Sequence, residues 1–460
     1  MGRVWICNTD VESEWSTPMN AEVPQKGIRQ VIFNYFEEIL LASAGPSNIA
    51  ILRKEPDSEF TDYLKSLGIE LPTILVAGES TAKPWLPTSQ LVIQNPSLIN
   101  ILSNIVSDGK ASILVSFGVS RIVEQIAELS GLSIPSSGSD ASKLISRKSF
   151  SRTISKKLGI RIPDGEICDS AKEAISAVKA LRSKTRGCPV VVKPELAAAG
   201  RGQLIIQNRQ DIDRINDMIS KEYIESYGTP LIVERWHPNA KTLSYEFHVG
   251  SDEYVSENIT LRKALKDDKN RDYGYFYPAD VKDKVLNEIQ EVTDSLSVEL
   301  GKNYQYFGPI RCDALLLSDG SLFPVLELNA RHSFFHFIDL LHARLSPNCM
   351  GLFCWFFFRY PGQIKFAQFI EDIIGKDLMF TPGKQEGIVV PIWGTVTAAE
   401  SIVEMDGDFP LRRLFVLILS NTKHKAQKIA HELRRRLVAS YNCEERNGVK
   451  SKALVKAGEE

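Results

Sequence analysis

The spacing of apolar positions changes period several times along the chain, and the changes outline its organisation. Residues 3–8 (RVWICN) predict a first strand, and Ile28, Val31, Ile32, Tyr35 and Ile39 recur on one side of a helix over 26–43. Strand-like runs follow at Asn48–Leu52, Pro72–Val76 and Ser112–Ser116, alternating with helical patterns at Asp57–Leu67, Leu98–Ser107 and Ser120–Ser130. That alternation predicts an open parallel α/β sheet. It closes at the break Ser136-Ser137-Gly138-Ser139, and no G-x-G-x-x-G fingerprint marks a dinucleotide site within it.

The pattern then shifts. Phe150, Ile154 and Leu158 recur every four residues, Gly159 stands where a C-terminal cap belongs and Pro163 follows, so a helix leads into a short strand. A helix over Ser170–Ser183 precedes a strand at Pro189–Lys193, and the run from Pro194 to Gln203 (PELAAAGRGQ) joins it to the next strand. Small residues and glycines there let backbone N–H groups approach phosphate oxygens, although the same composition also makes an ordinary turn. The run lacks G-K-[ST], so it is no P-loop. Leu231–His237 reads as a strand leaving through a polar hinge, Leu243–Val249 as another carrying Glu246, and 262–272 (RKALKDDKNRD) as a charge-rich mobile loop. A long amphipathic helix is predicted over 280–300, and two strands, Pro309–Leu317 and Leu322–Asn329, around the turn Ser318-Asp319-Gly320-Ser321. Beyond 340 come an aromatic block, in which Leu352–Phe358 (LFCWFFF) reads as core or pocket wall, strands at Gly387–Ile392 and Leu414–Leu419, and a basic helix over Asn421–Leu437. Residues from Glu444 onward read as disordered.

The hairpin at 309–329 carries the densest chemistry. Strand parity puts Arg311 and Asp313 on one face, and Glu327, Asn329 and Arg331 on one face of the second strand. Register decides whether the sets meet. A two-residue loop sets Asp313 opposite Leu326; a three-residue loop, or an equivalent bulge, sets Asp313 across from Glu327 and Arg311 across from Asn329. The second register is predicted. Carboxylate and amide oxygens suit Mg²⁺, which uses few protein ligands and leaves positions for phosphate, and the arginines suit phosphate or carboxylate.

Composition narrows the setting. At 460 residues, with 43% hydrophobic and 24% charged, the chain has room for two or three domains. A net charge of −2 creates no field for nucleic acid or an acidic membrane. Seven scattered cysteines without a C-x-x-C read as reduced intracellular thiols, there is no signal-peptide core, and the most apolar run is too short to span a bilayer. A cytoplasmic protein is expected. His332 and His336 stand four apart but have no third metal ligand in sequence reach.

Read together, the order and spacing from about Lys148 to Phe337 resemble the ATP-grasp superfamily of carboxylate–amine and carboxylate–thiol ligases. The resemblance implies a Rossmann-like pre-ATP-grasp α/β domain at 1–139, an α+β ATP-grasp domain at 140–350, a small βα lobe at 351–443 and a disordered tail at 444–460. It implies ATP contacts from Lys148, Lys193, Gly200, Arg201, Gly202, Glu234, Arg235, His237 and Glu246, with Glu234 to His237 as the adenine hinge and Glu246 on the ribose. Asp313, Glu327 and Asn329 become metal ligands for Mg²⁺ or Mn²⁺, Arg311 and Arg331 the arginines on the acyl phosphate, and His332 and Ser333 the border of the acyl pocket. Three alanines, Ala197 to Ala199, and the short arm of Asp313 depart from common family members. The implied reaction activates a carboxylate, expected to be an amino acid's, as an acyl phosphate and passes it to an amine. Alternatives are a carrier-protein thiol, met by the basic C-terminal helix if the carrier is acidic, or a hydroxyl acceptor in a phosphotransferase. A homo-oligomer is left open.

Overall fold

The computed structural model describes residues 1–16, 28–78, 83–196, 202–252, 254–266, 272–360, 362–398, 400 and 411–441. Its first sheet is built from short apolar runs, β1 (Gly2–Ile6), β2 (Ile49–Leu52), β3 (Thr73–Val76) and β4 (Ala111–Ser116), of which β2 is buried throughout and the edge strand β3 is half-buried to exposed. All pair in parallel in the order β3-β2-β1-β4, as near-continuous apolar strands joined by helices should. Helices Pro96–Ser107 and Arg121–Ser130 cover one side through Leu98, Leu102, Val123 and Ile126. The helix expected over 26–43 is broken into Ile28–Asn34, a 3₁₀ turn Tyr35–Glu38 and Ile39–Ser43.

A second, antiparallel sheet orders β5 (Gly165–Cys168), β8 (Leu231–Arg235), β6 (Val190–Pro194) and β7 (Leu204–Ile206) as β5-β8-β6-β7, with helix Ala171–Lys184 packed on it. The third sheet has eight strands in the order β13-β12-β9-β10-β11-β14-β16-β15. These are β9 (Lys241–Val249), β10 (Ser256–Lys266), β11 (Asp272–Tyr277), β12 (Gly308–Leu316), β13 (Leu322–Asn329), β14 (Met350–Arg359), β15 (Gly387–Val389) and β16 (Leu411–Ser420).

One expectation changes here. The charge-rich stretch from 262 is not a loop at its start: β10 runs through Arg262 to Lys266, β11 begins at Asp272, and 267–271 lie outside the described residues. The apolar run LFCWFFF, read as core or pocket wall, places Leu352, Phe353, Cys354 and Phe358 in the core as part of a strand, β14, paired with β11 and β16, so the sheet continues past residue 350 without a break. Alternation sorts the faces of β9 and β12. Tyr245, Phe247, Ile310, Cys312 and Ala314 bury against Val285, Ile289, Leu296 and Leu300 of helix Asp283–Tyr304. Ser244, Glu246, Arg311 and Asp313 therefore share the opposite face.

A single apolar core joins the first unit to the segment after 350, with Phe36 edge-on to Phe415 at 5.2 Å. Polar contacts cross the same seam. Glu38 accepts from the N–H groups of Trp393 (3.0 Å) and Gly394 (2.5 Å). A Cβ at Gly394 would stand 2.8 Å from the Glu38 carboxyl, so only glycine permits this approach. Neighbouring Glu37 accepts from the Arg53 N–H and the Thr88 hydroxyl. Burial pushes both carboxyls up from 4.5 to about 7. The folded chain thus holds protons that the unfolded chain releases above about 4.5, and this stabilising contribution is lost as pH rises through about 7. Melting temperature is expected to fall between pH 5 and pH 8, with a shallower slope in Glu37→Gln and Glu38→Gln. An unchanged slope in both variants would contradict the assignment.

Candidate active site

The hairpin of β12 and β13 sets Asp313 opposite Glu327 and Arg311 opposite Asn329. The register is the one expected, and it is reached through a bulge. Leu317 and Ser321 close the turn, and a bulge on β13 between Phe323 and Glu327 restores the pairing. Pro324 lies in that bulge, where a residue without an N–H is tolerated. Its carbonyl accepts from the Tyr245 hydroxyl at 3.0 Å.

Two rungs cross the face. One reads Asn329, Arg311, Glu246, Thr260; the other Glu327, Asp313, Ser244, Arg262. Lys148, buried at the start of helix Lys148–Lys157, reaches Glu327 at 3.1 Å. Arg311 donates to Ser244 (3.0 Å) and Asp313 (2.9 Å). Burial disfavours charge on both carboxylates, but Lys148 and Lys193 outweigh it at Glu327 and hold that group low, while Asp313 is pushed up. Two facing acids of which one stays ionised leave room for a cation. Asn329 is buried and its side-chain nitrogen lacks a partner among the described residues; a half-turn of the amide would present its oxygen. Among the described residues no group of three or more His, Cys, Asp or Glu forms a self-sufficient metal site. Two carboxylates and an amide fit an ion that completes its shell with phosphate and water.

The four-stranded sheet carries a second ionic cluster. Glu234 is buried and receives Lys193 at 2.5 Å and Arg152 at 2.9 Å. The N–H groups of Arg235 and Trp236 go to Asp164 and Pro189, and the Arg235 guanidinium rests on the Cys188 sulfur at 3.7 Å. His237 packs 5.2 Å from Phe323 with Nε2 buried and, among the described residues, unpaired. β6 and β7 flank the small-residue loop as expected; Gly200 and Arg201 lie outside the described residues. Gly202 takes a left-handed φ of +70°, and its carbonyl accepts from Tyr223 at 2.6 Å. The loop's Glu195 receives the backbone N–H and hydroxyl of Ser149 beside Lys148.

Arg331 leaves β13 toward the first unit, where it meets Glu12 of helix Val11–Ser16 at 2.6 Å and lies 5.2 Å over Phe117. His332 stacks on His336 at 4.2 Å; burial, then His336 and His248, hold His332 well below the ordinary histidine range, and burial, with Arg262 and His248 against the pull of Glu246, holds His336 below it. The Ser333 hydroxyl is fully buried and caps helix Phe334–Leu345 by accepting from Phe335, so it is engaged within the fold. Glu246 stands beside Arg311 in the eight-stranded sheet, apart from the four-stranded sheet that carries Glu234 and Lys193.

Sequence reasoning missed Arg152, Glu12 and Arg262. Arg152 and Glu12 act through partners 82 and 319 residues away, which no local pattern announces. Arg262 was legible in principle, as the polar member of the alternation Ile259-Thr260-Leu261-Arg262, but the charges after it dominated the stretch.

The fold is that of ATP-grasp proteins. Biotin carboxylase from Campylobacter jejuni aligns over 90% of this chain and 95% of its own, with a TM-score of 0.53 and 13% identity. The biotin carboxylase domain of the Hydrogenobacter thermophilus 2-oxoglutarate carboxylase aligns over 90% and 88%, with a TM-score of 0.54 and 15% identity. Residues 147–338 match the family described as carbamoyl-phosphate synthase L chain, ATP binding domain, so the chain contains an ATP-grasp ATP-binding domain. The [butirosin acyl-carrier protein]–L-glutamate ligase of Niallia circulans is 23% identical over 298 residues, 64% of each chain. The Helicobacter pylori carbamoyl phosphate synthase large chain is 23% identical over 278 residues, 58% of this chain and 24% of that one. The matched stretch thus spans less than two thirds of either relative. No helix among the described residues is long and apolar enough to cross a membrane.

Proposed function

We propose that the chain is an ATP-dependent ligase that converts a carboxylate, that of an amino acid, into an acyl phosphate and transfers the acyl group to an amine. The observation that carries this reading is the pairing of Asp313 with Glu327 beside Lys148 and Arg311. Asp313, Glu327 and Asn329 would hold Mg²⁺, which supplies neutralisation of phosphate charge when bound. Lys148 and Lys193 would face the phosphates, the backbone from Glu234 to His237 the adenine, and Gly200, Arg201 and Gly202 would close over the nucleotide. Phosphoryl transfer asks for positioning and charge compensation, and no protein nucleophile is required. Arg311 and Arg331 would receive charge on the acyl phosphate and on the tetrahedral oxyanion that follows; Glu12, paired with Arg331, brings the first unit to that point.

A carrier-protein thiol is the second reading, supported by the likeness to the butirosin ligase. The basic cluster of helix Lys423–Ser440 supports it less, because Arg435 and Arg436 are tied to Glu432 and Asp377. The test is Mg-ATP turnover with amino acids singly, in pairs, and with a phosphopantetheinylated carrier protein. ADP, free phosphate and a new amide by mass spectrometry support the amine reading, and turnover only with the carrier supports the thiol reading. ADP without free phosphate, with a phosphorylated acceptor, means a phosphotransferase and overturns both.

A further inference from the structure

On the site face, donors and acceptors that ought to satisfy one another stand apart. Arg262 is 1% exposed, yet its Nε and Nη1 have no partner among the described residues. Its Nη2 is bound to Asp339 and to the Thr260 hydroxyl. Glu246 is 9% exposed, its Oε1 has no partner among the described residues, and its Oε2 stands 3.9 Å from Arg262, beyond hydrogen-bond reach. Leaving such groups unpaired in a buried place is costly. Arg262 also faces a like charge: its guanidinium lies 5.0 Å from the Phe335 ring centre and that of Arg311 lies 5.7 Å from the same centre. Two arginines on one ring, with spare donors on the buried one, call for a shared anion. An unpaired carboxylate oxygen beside them calls for a cationic donor.

We propose that Arg262, Arg311 and Glu246 form the recognition site for an α-amino acid, with the carboxylate between the arginines and the ammonium on Glu246. This deepens the proposed function, because Arg311 also binds Asp313 and so brings the held carboxylate to the site of activation. The acyl donor is then an amino acid with a free amine. The simple carboxylic acid of the same side chain satisfies the arginines alone. Glu246 takes this role in place of the ribose contact implied by the family resemblance.

The experiment uses the full chain with Mg-ATP and hydroxylamine, which traps acyl phosphate as hydroxamate without any acceptor. Twenty α-amino acids are compared with their des-amino acids, and the same compounds are followed by thermal shift without ATP. Amino acids are expected to shift the melting temperature and to be activated at least tenfold better than their des-amino counterparts. Glu246→Gln is expected to raise KM for the amino acid about 10- to 100-fold, the loss of a hydrogen bond to a charged group, while KM for ATP moves less than threefold. Arg262→Lys is expected to weaken amino and des-amino acids alike, and serves if Glu246→Gln fails to fold. Equal use of both compound classes, or a rise in KM for ATP alone in Glu246→Gln, would overturn the site while leaving the ligase standing. A shift by amino acids that both variants abolish, without hydroxamate from any compound, would keep the site and overturn the ligase. No shift and no amino-acid preference would overturn the site.

Discussion

Glu327→Gln is expected to lower carboxylate-dependent ADP release by about 10²- to 10³-fold, in the range seen when one preorganised electrostatic contact is removed from a reacting phosphate or oxyanion. The side chain has two tasks. It faces Asp313 across the strand pair, and it is the partner of buried Lys148 at 3.1 Å. Burial alone would raise its proton affinity, but Lys148 and Lys193 prevail, so the group is ionised throughout the working pH range. The amide keeps the size and removes the charge that faces Lys148. Steady-state rates at saturating ATP, with ATP affinity titrated separately, give the measurement. A variant within threefold of the wild type would remove Glu327 from the site.

Glu234→Ala is expected to act on stability. Glu234 is shared by Arg152 and Lys193, both largely buried, and the variant takes its carboxylate from two charges at once. Removing one member of a buried pair costs about 3–5 kcal/mol. Arg152 also donates to the carbonyls of Pro163 and Gly165, so it ties the helix Lys148–Lys157 to the four-stranded sheet. The loss should concentrate in β5, β6 and β8, read as faster amide hydrogen exchange there with β9 and β12 unchanged. Uniform protection across the chain would show that the cluster carries little of that sheet's stability.

Elements with a period were legible. The parallel sheet of the first unit follows from strands and helices that alternate cleanly, and Asp319-Gly320 announced the hairpin whose register brings Asp313 to Glu327. What the sequence hid was tertiary. The turn closes one residue earlier than the loop Asp319-Gly320-Ser321 would set it, and the bulge that contains Pro324 brings the pairing back to Asp313 opposite Glu327. β14 is apolar on both faces, so it showed no alternation to read as a strand. Arg262 sat at the head of a charged run whose composition suggested solvent, while its own place in the alternation put it in the interior.

The continuity of the eight-stranded sheet sets a limit on dissection. A fragment cut to residues 147–338, the span that matches the family, would keep β9 to β13 but lose β14, β16 and β15. The rim of β11 would then be open, with Tyr275 and Phe276 stripped of their cover by Phe353 and Leu352. Exposed apolar edges recruit other chains, so the excised piece should self-associate. The recognisable part of this protein is therefore smaller than the part able to stand alone.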